Sequence, residues 1–334
     1  MNIKNKKILL IAPRFFGYEN DIIESLENNG AKVVFIQENI DATEFKFKIL
    51  NKMPATIRRL IINNYFISKF KKLCKNEITF DYVFCIRINS FDHCILSILR
   101  KLFPNARYIC YFWDSVLNMR NAVALSSYFD KIITFDKEDA IKYKWNFIPL
   151  FYNNKYGGGV NAKVKDIDIL FVASLLPERA KLYTKLNELC TTYKLTMHTY
   201  FTVNPYLYYV NKRLYKEIPS SIVHFTGLQQ SELIELVSKS KIIMDCSSQS
   251  QSGLTMRSIE CIGAKKRMIT TNQSILSYDF YDNNNILLLT DDDKDDKIIK
   301  FICEDQFKEL DISIYNKYSI SSWIANVFSK NSTN

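Results

Sequence analysis

Residues 252–266 read SGLTMRSIECIGAKK in a chain of 334 residues with only eight glycines. The preceding KIIMDC is an apolar run that predicts a buried strand, and LTMRSIECIGA has the periodicity of a helix. Strand, small polar loop, Gly253 and helix together offer backbone N–H groups to an anion, because a helix N-terminus has unpaired donors and a partial positive charge. Arg257 and Glu260 stand three apart on that helix and share a face. The bland alternatives are that Gly253 only turns the chain between core elements, and that the charged pair is a salt bridge on a solvated surface.

The elements that must position these residues follow from the rest of the chain. KKILLIA, AKVVFIQ, DYVFCIRI, ARYICYF and DKIITF predict strands, each followed by a helical stretch; Gly30 ends the first helix and Asp136 caps the last. Near Pro149 the alternation stops, and KYGGGVNAKVK predicts a flexible linker carrying three of the eight glycines. It restarts with DIDILFVAS, then LTMHTYF, SIVHF, KIIMDC and RMITT, with helices predicted from near Pro177, over NPYLYYVNKRLYKEI and over QQSELIELVSKS. Such alternation means doubly wound, mostly parallel sheets. The expected organisation is an α/β domain over 1–153, a linker over 154–165, and a second α/β domain over 166–318. An amphipathic C-terminal helix over 319–334 is expected to cross back to the first domain. Ligands of such sheets bind at the carboxyl ends of the strands, and a cleft between two domains is the natural site.

Composition narrows the class. The chain is 47% hydrophobic with no apolar run near the roughly 18 residues of a membrane helix, and ILLIAP behind the basic start is too short for a signal peptide. Eight cysteines, none in C-x-x-C spacing, read as reduced core residues of a cytosolic protein. The net charge of +10 is local: nine of the basic residues, and no acid, lie between Glu44 and Glu77. Interleaved with apolar residues, the stretch 46–75 fits a helix docking on an anionic membrane surface. It equally fits a helix packed on the sheet with a solvated basic edge. Nothing matches a nucleic-acid recognition helix or RNA-binding signature, so no nucleic-acid partner is expected.

Two α/β domains, a linker, a terminal helix and the stretch HFTGLQQSELIELVSKSKIIMDCSSQSQSGLTMRSIECIGAKKRMITTN resemble the GT-B glycosyltransferases and their nucleotide-sugar donor region. YFWDS and APRFFGYE are similar to bacterial enzymes that build O-antigen, capsule or lipopolysaccharide. The resemblance implies two Rossmann-like domains facing each other across a cleft. It also implies a cytoplasmic enzyme, peripheral on the inner face of the membrane, that moves a sugar from a nucleotide sugar to a hydroxyl of a lipid-linked glycan. Gly253, Leu254 and Thr255 would place backbone N–H groups, and the Thr255 hydroxyl, on the donor diphosphate, with Arg257 adding a charge-assisted contact. Glu260 would accept hydrogen bonds from the ribose. Arg179 in SLLPERAKLY and Ser174 at the strand end before it are further phosphate candidates, though Arg179 also suits a first-turn surface arginine. Thr226, Gly227 and Leu228 would hold the nucleobase.

Two departures from the family pattern bear on mechanism. The carboxylate eight positions before Glu260 is replaced by Ser252, which favours an inverting transfer, and a family glycine is replaced by Lys265. An inverting transfer needs a base for the acceptor hydroxyl. His93 reads as helical, while His198 and His224 fall in the second domain. Asp114 in YFWDS is the better candidate, at a strand end with Phe112 and Trp113 to shield it. Its alternative role is to cap the helix that follows. Arg14, Phe15, Gly17 and Tyr18 of the PRFFGY loop would line the acceptor side. The acidic run TDDDKDD reads as a helix start, and neither a metal nor a cofactor is expected. The rival readings are a nucleotide-sugar epimerase on the same scaffold, or a non-catalytic sugar-nucleotide or nucleic-acid binding protein.

Overall fold

The computed structural model describes residues 3–40, 53–76, 78–119, 121–160, 162, 164–247, 252–290, 292–304 and 307–329. Backbone contacts divide the chain into two compact units, Met1–Pro149 with Ser321–Asn334, and Leu150–Ile320.

The first unit runs β1 (Lys7–Ala12), α1 (Tyr18–Asn28), β2 (Lys32–Gln37), α2 (Ala55–Lys75), β3 (Tyr82–Ile86), α3 (His93–Leu102), β4 (Arg107–Phe112), α4 (Ala122–Leu125), β5 (Lys131–Thr134), α5 (Lys137–Tyr143) and β6 (Asn146–Phe147). Its six strands pair in parallel in the order β2-β1-β3-β4-β5-β6. Strands covered on both faces read as continuous apolar runs; every residue of β3 is buried. On one face Leu9, Val83, Cys85 and Cys110 pack with Phe66 and Phe70 of α2 and Leu96 and Leu99 of α3. Helix α1 stops at Gly30, whose φ of 83 closes the turn while its N–H donates to the Glu27 carbonyl at 2.8 Å. Helix α5 starts at Asp136, whose carboxylate accepts from the Glu138 and Asp139 amides.

The second unit runs β7 (Ile167–Ser174), α6 (Pro177–Tyr193), β8 (Met197–Thr202), α7 (Pro205–Val210), β9 (Val223–His224), α8 (Gln230–Lys239), β10 (Ser240–Asp245), α9 (Met256–Gly263), β11 (Arg267–Thr270), β12 (Ile286–Leu288), α10 (Asp295–Cys303) and α11 (Ile312–Lys317). Its strands are again parallel, in the order β12-β11-β10-β7-β8-β9. The single helix expected over NPYLYYVNKRLYKEI breaks after Val210. The Asn211 side chain donates to the Leu207 carbonyl at 3.0 Å, competing with the backbone ladder, and a 3₁₀ turn, Lys212–Tyr215, follows.

The glycine-bearing stretch 154–160 is held on the second unit and is not the flexible linker its composition suggests. Tyr156 is fully buried, Gly158 N donates to the Tyr315 hydroxyl at 2.7 Å, and Val160 N donates to the Ala264 carbonyl at 3.2 Å. Composition signals flexibility only where nothing covers the backbone, and here α9 and α11 supply partners.

The last helix, α12 (Ile320–Val327), joins the first unit from Ser321 onward. Trp323 is 2% exposed with its ring 4.9 Å from Tyr111, and Phe328 lies 5.1 Å from Tyr82. The Lys131 ammonium donates to the Asn326 and Val327 carbonyls at 2.9 Å each, satisfying the helix C-terminus. No described helix is long and apolar enough to cross a membrane.

Candidate active site

In the first unit the carboxyl ends of β2, β1, β3 and β4 lie side by side, so the residues that follow those strands share one edge. Asp114 follows β4. It is about a third exposed, and its Oδ2 lies 3.8 Å from Arg87 Nε. It does not cap the following turn: the Val116 N–H donates to Asp139 at 2.8 Å, and the Ser115 hydroxyl donates to Asp136 at 2.6 Å. The shielding expected from Phe112 is absent, because that ring is fully buried against Trp145, at 5.0 Å.

The loop after β1 exposes Arg14 together with Phe15 and Phe16, which are 51% and 50% exposed. Phe15 stands 6.1 Å from the Trp113 ring. Phe16 and Gly17 both take the left-handed conformation, with φ of 51 and 80, which turns the chain sharply into α1. Tyr18 opens that helix and is 6% exposed, so it belongs to the core and not to an acceptor surface.

Two residues on this edge had been missed. The apolar run DYVFCIRI predicts Arg87 inside a strand, but β3 ends at Ile86 and Arg87 has φ 63, a strained conformation for a non-glycine residue. Its Nη2 and Nε donate to the Asn89 amide oxygen at 3.0 and 3.1 Å, in the amide orientation that satisfies both groups. Glu38 follows β2 and is fully buried; its Oε1 accepts from the Ser90 N–H at 2.6 Å, and its Oε2 has no partner among the described residues. Burial pushes the Glu38 carboxyl above the usual carboxylate range, against the opposing pull of the Ser90 amide and the Arg87 charge. Its position after a strand was the available signal.

In the second unit the donor candidates after β7 and β10 are linked. Arg179 donates through Nε to the Cys246 carbonyl at 2.9 Å and through Nη1 to the Ser174 carbonyl at 3.0 Å, tying together the ends of two adjacent strands. It is therefore a bridging residue, not a free surface arginine. Asp245, the last residue of β10, is buried and accepts from the Thr255 hydroxyl at 2.9 Å and the Ser258 hydroxyl at 2.5 Å. Thr255 is the N-cap of α9 and also accepts from Ser258 N at 3.2 Å. This corrects the role expected of its hydroxyl, whose proton is already given to Asp245. Gly253 and Leu254 are buried just before the cap, and the Gly253 carbonyl accepts from the Asn272 amide at 3.2 Å. Residues 248–251 of the serine-rich loop lie outside the described residues.

Arg257 Nη1 meets Glu260 Oε2 at 2.8 Å, with side chains 17% and 3% exposed. The solvated-surface alternative is thus overturned: Glu260 is buried and Arg257 is mostly covered. Thr226 and Gly227 are exposed after β9, two strands away from β7, and Leu228 is half-buried. The Thr226 carbonyl accepts from the Tyr200 hydroxyl at 2.9 Å, and the Tyr200 ring stacks on His224 at 3.7 Å. Leu228 lines a groove of about 510 Å³ with both of these residues.

Among the described residues no group of three or more His, Cys, Asp or Glu could hold a metal ion. In the acidic run, Asp293 pairs with Lys297 at 2.6 Å and accepts from Thr290 N, while Asp295 and Asp296 open α10.

No family model and no curated protein matches the chain in sequence. Solved structures do match its fold. OtsA in its apo form gives a TM-score of 0.60 at 10% identity, covering 97% of this chain and 100% of that one. The UDP-forming α,α-trehalose-phosphate synthase from Burkholderia xenovorans, in complex with glucose-6-phosphate, gives 0.61 at 10% identity, covering 96% and 98%. UDP-GlcNAc 2-epimerase from Neisseria meningitidis, bound to UDP-GlcNAc, gives 0.53 at 12% identity, covering 97% and 100%. The chain has the GT-B fold. Identities this low show the fold alone, and that fold serves transferases and epimerases alike.

Proposed function

We propose that this chain is an inverting glycosyltransferase that moves a sugar from a nucleotide-sugar donor to a hydroxyl of a lipid-linked glycan. Its setting would be bacterial surface-polysaccharide synthesis on the cytoplasmic face of the membrane. The observation that carries the choice is Asp114: a part-exposed carboxylate at a strand end, released from capping by Asp139 and facing Arg87. The epimerase reading needs several acid–base side chains around the sugar. Of the three histidines, His93 opens α3, while His198 lies on β8 and His224 on the edge strand β9 of the second unit.

In this reading Asp114 takes the proton of the acceptor hydroxyl as its oxygen attacks the anomeric carbon. The bond from that carbon to the donor phosphate breaks, and the nucleoside diphosphate leaves with the electron pair. Arg179 and the backbone before α9 meet the developing charge on the diphosphate, and no bound metal is called on. Exposed Phe15 and Phe16 offer ring faces to the acceptor sugar.

The test is to incubate the protein with a panel of nucleotide sugars in deuterated water, with and without glycan acceptors. Release of nucleoside diphosphate that depends on an acceptor supports transfer. Deuterium entering the donor sugar at C2 without an acceptor would mean an epimerase.

A further inference from the structure

The stretch NPYLYYVNKRLYKEI, which the sequence pattern predicts as one helix, begins with the six-residue α7. Asn204 caps it, accepting from Tyr206 N at 2.9 Å, and Pro205 opens its first turn. Its inward side is short: Tyr208 packs on the core and stacks with Tyr215, whose own exposure is 7%. The other side remains in water. Tyr206 is 74% exposed, Leu207 52%, Tyr209 64%, Val210 62% and Leu214 61%. Phe225, 47% exposed, extends the patch, with its ring 6.3 Å from Tyr209. Tyr206, Leu207, Tyr209 and Val210 follow closely along α7 with Phe225 beside Tyr209, and apolar side chains clustered in this way mark an interaction site, where scattered ones would not.

Charge identifies the partner. Lys212, Arg213 and Lys216 are exposed along the same segment, against the single acid Glu217. Protein interfaces are depleted in lysine at their centres. A bilayer interface instead favours tyrosine, whose ring sits among acyl carbons while its hydroxyl stays wet, and it rewards neighbouring cations when its lipids are anionic.

We propose that the α7 surface docks on an anionic membrane, inserting Tyr206, Leu207, Tyr209 and Val210 at headgroup level with Lys212, Arg213 and Lys216 on lipid phosphates. This adds an apolar surface to the basic stretch 46–75, where α2 itself exposes Ile57 at 49% and Leu60 at 62%. There Phe66 and Phe70 are fully buried in the first unit's core, and residues 46–52 lie outside the described residues. The proposal does not depend on the sugar chemistry, since docking needs no donor.

The experiment is flotation of the full chain with phosphatidylcholine vesicles, with and without phosphatidylglycerol, at low and high salt. Wild type should float only with the anionic vesicles and less at high salt. Lys212→Gln/Arg213→Gln/Lys216→Gln should lower partitioning by about two orders of magnitude, from the worth of three cations near a charged surface. Tyr206→Ser/Leu207→Ser/Tyr209→Ser should abolish it, while melting stays at the wild-type value because all three side chains face water. Two results would overturn the proposal. One is that both triple variants float as wild type does while Lys69→Glu/Lys71→Glu/Lys72→Glu does not, which assigns docking to α2. Alternatively, wild type ignores every vesicle yet forms oligomers that the serine variant dissolves, which makes the patch a protein interface.

Discussion

Removing Arg257 should damage this protein in two separable ways. The pair it forms with Glu260 at 2.8 Å is nearly closed to water, with side chains 17% and 3% exposed. Arg257→Ala strands a buried carboxylate, and breaking a buried pair from one side costs about 3–5 kcal/mol. In a domain of this size each kcal/mol moves the midpoint by roughly 2–4 °C, so the second unit's transition should fall by about 6–20 °C. If Arg257 also meets the donor diphosphate, losing that charge-assisted contact should cost roughly 1–3 kcal/mol, or about a 5- to 150-fold rise in Kd. Calorimetric melting reads the first effect. Titration with the nucleotide that most raises the wild-type melting temperature reads the second, at a temperature where each variant is folded. The double variant Arg257→Met/Glu260→Leu separates them. Apolar replacements of similar volume leave no stranded charge, so melting should return to the wild-type value or above it, while nucleotide affinity should stay low. Wild-type melting of Arg257→Ala would refute the buried-pair account, and wild-type nucleotide affinity in the double variant would refute the donor role.

Three other outcomes are expected. Asp114→Asn should lower transfer by about 10²- to 10⁴-fold with nucleotide affinity and melting unchanged; full activity in that variant would move the base elsewhere. The raised pKa of Glu38 stabilises the fold most below the unfolded carboxyl value of about 4.3, and that contribution is lost as pH climbs through the folded value. Denaturant titrations should therefore show Glu38→Gln gaining on wild type from acid pH toward neutrality, and a stability difference that is flat with pH would contradict the burial account. At Gly263 an added Cβ would lie 2.7 Å from Tyr152 Cβ, in a ring locked by its hydroxyl on the Tyr315 carbonyl at 3.1 Å. Gly263→Ala should cost roughly 1–3 kcal/mol as overpacking, and an unchanged midpoint would argue that Tyr152 can step aside.

The parallel sheets were legible because strands covered on both faces must be continuously apolar, as KILLIA and YVFCI are, and because turn signals such as Gly30, Asp136 and Pro177 act over a few residues. Local rules reached as far as local causes do. They put Arg257 and Glu260 on one helix face, but whether water reaches that face depends on what packs over α9, which no spacing within the helix records. The run KIIMDC marks Asp245 only as part of a strand. Its two hydroxyl partners, Thr255 and Ser258, lie ten and thirteen residues on and come to it only because β10 and α9 meet. Arg179 is similar, since its carbonyl partner on Cys246 is 67 positions away and reaches it through the pairing of β7 with β10.

Asp114 shows the same limit from the other side. An Asp between a strand and a short helix fits an N-cap on local grounds. The distant Asp139 takes the Val116 amide instead, and the left-handed turn at Arg87 brings a guanidinium to the carboxylate from the neighbouring strand end. A carboxylate relieved of capping thus stands at the sheet edge where Arg14, Phe15 and Phe16 are also exposed, which is where the proposed transfer needs its base. The strained backbone at Arg87 is the structural cost of that arrangement. If Asp114 is the base, the strain is functional: Arg87→Gly should relieve it and stabilise the first unit while slowing transfer. A transfer rate that survived the substitution would leave the turn at Arg87 as a matter of folding alone.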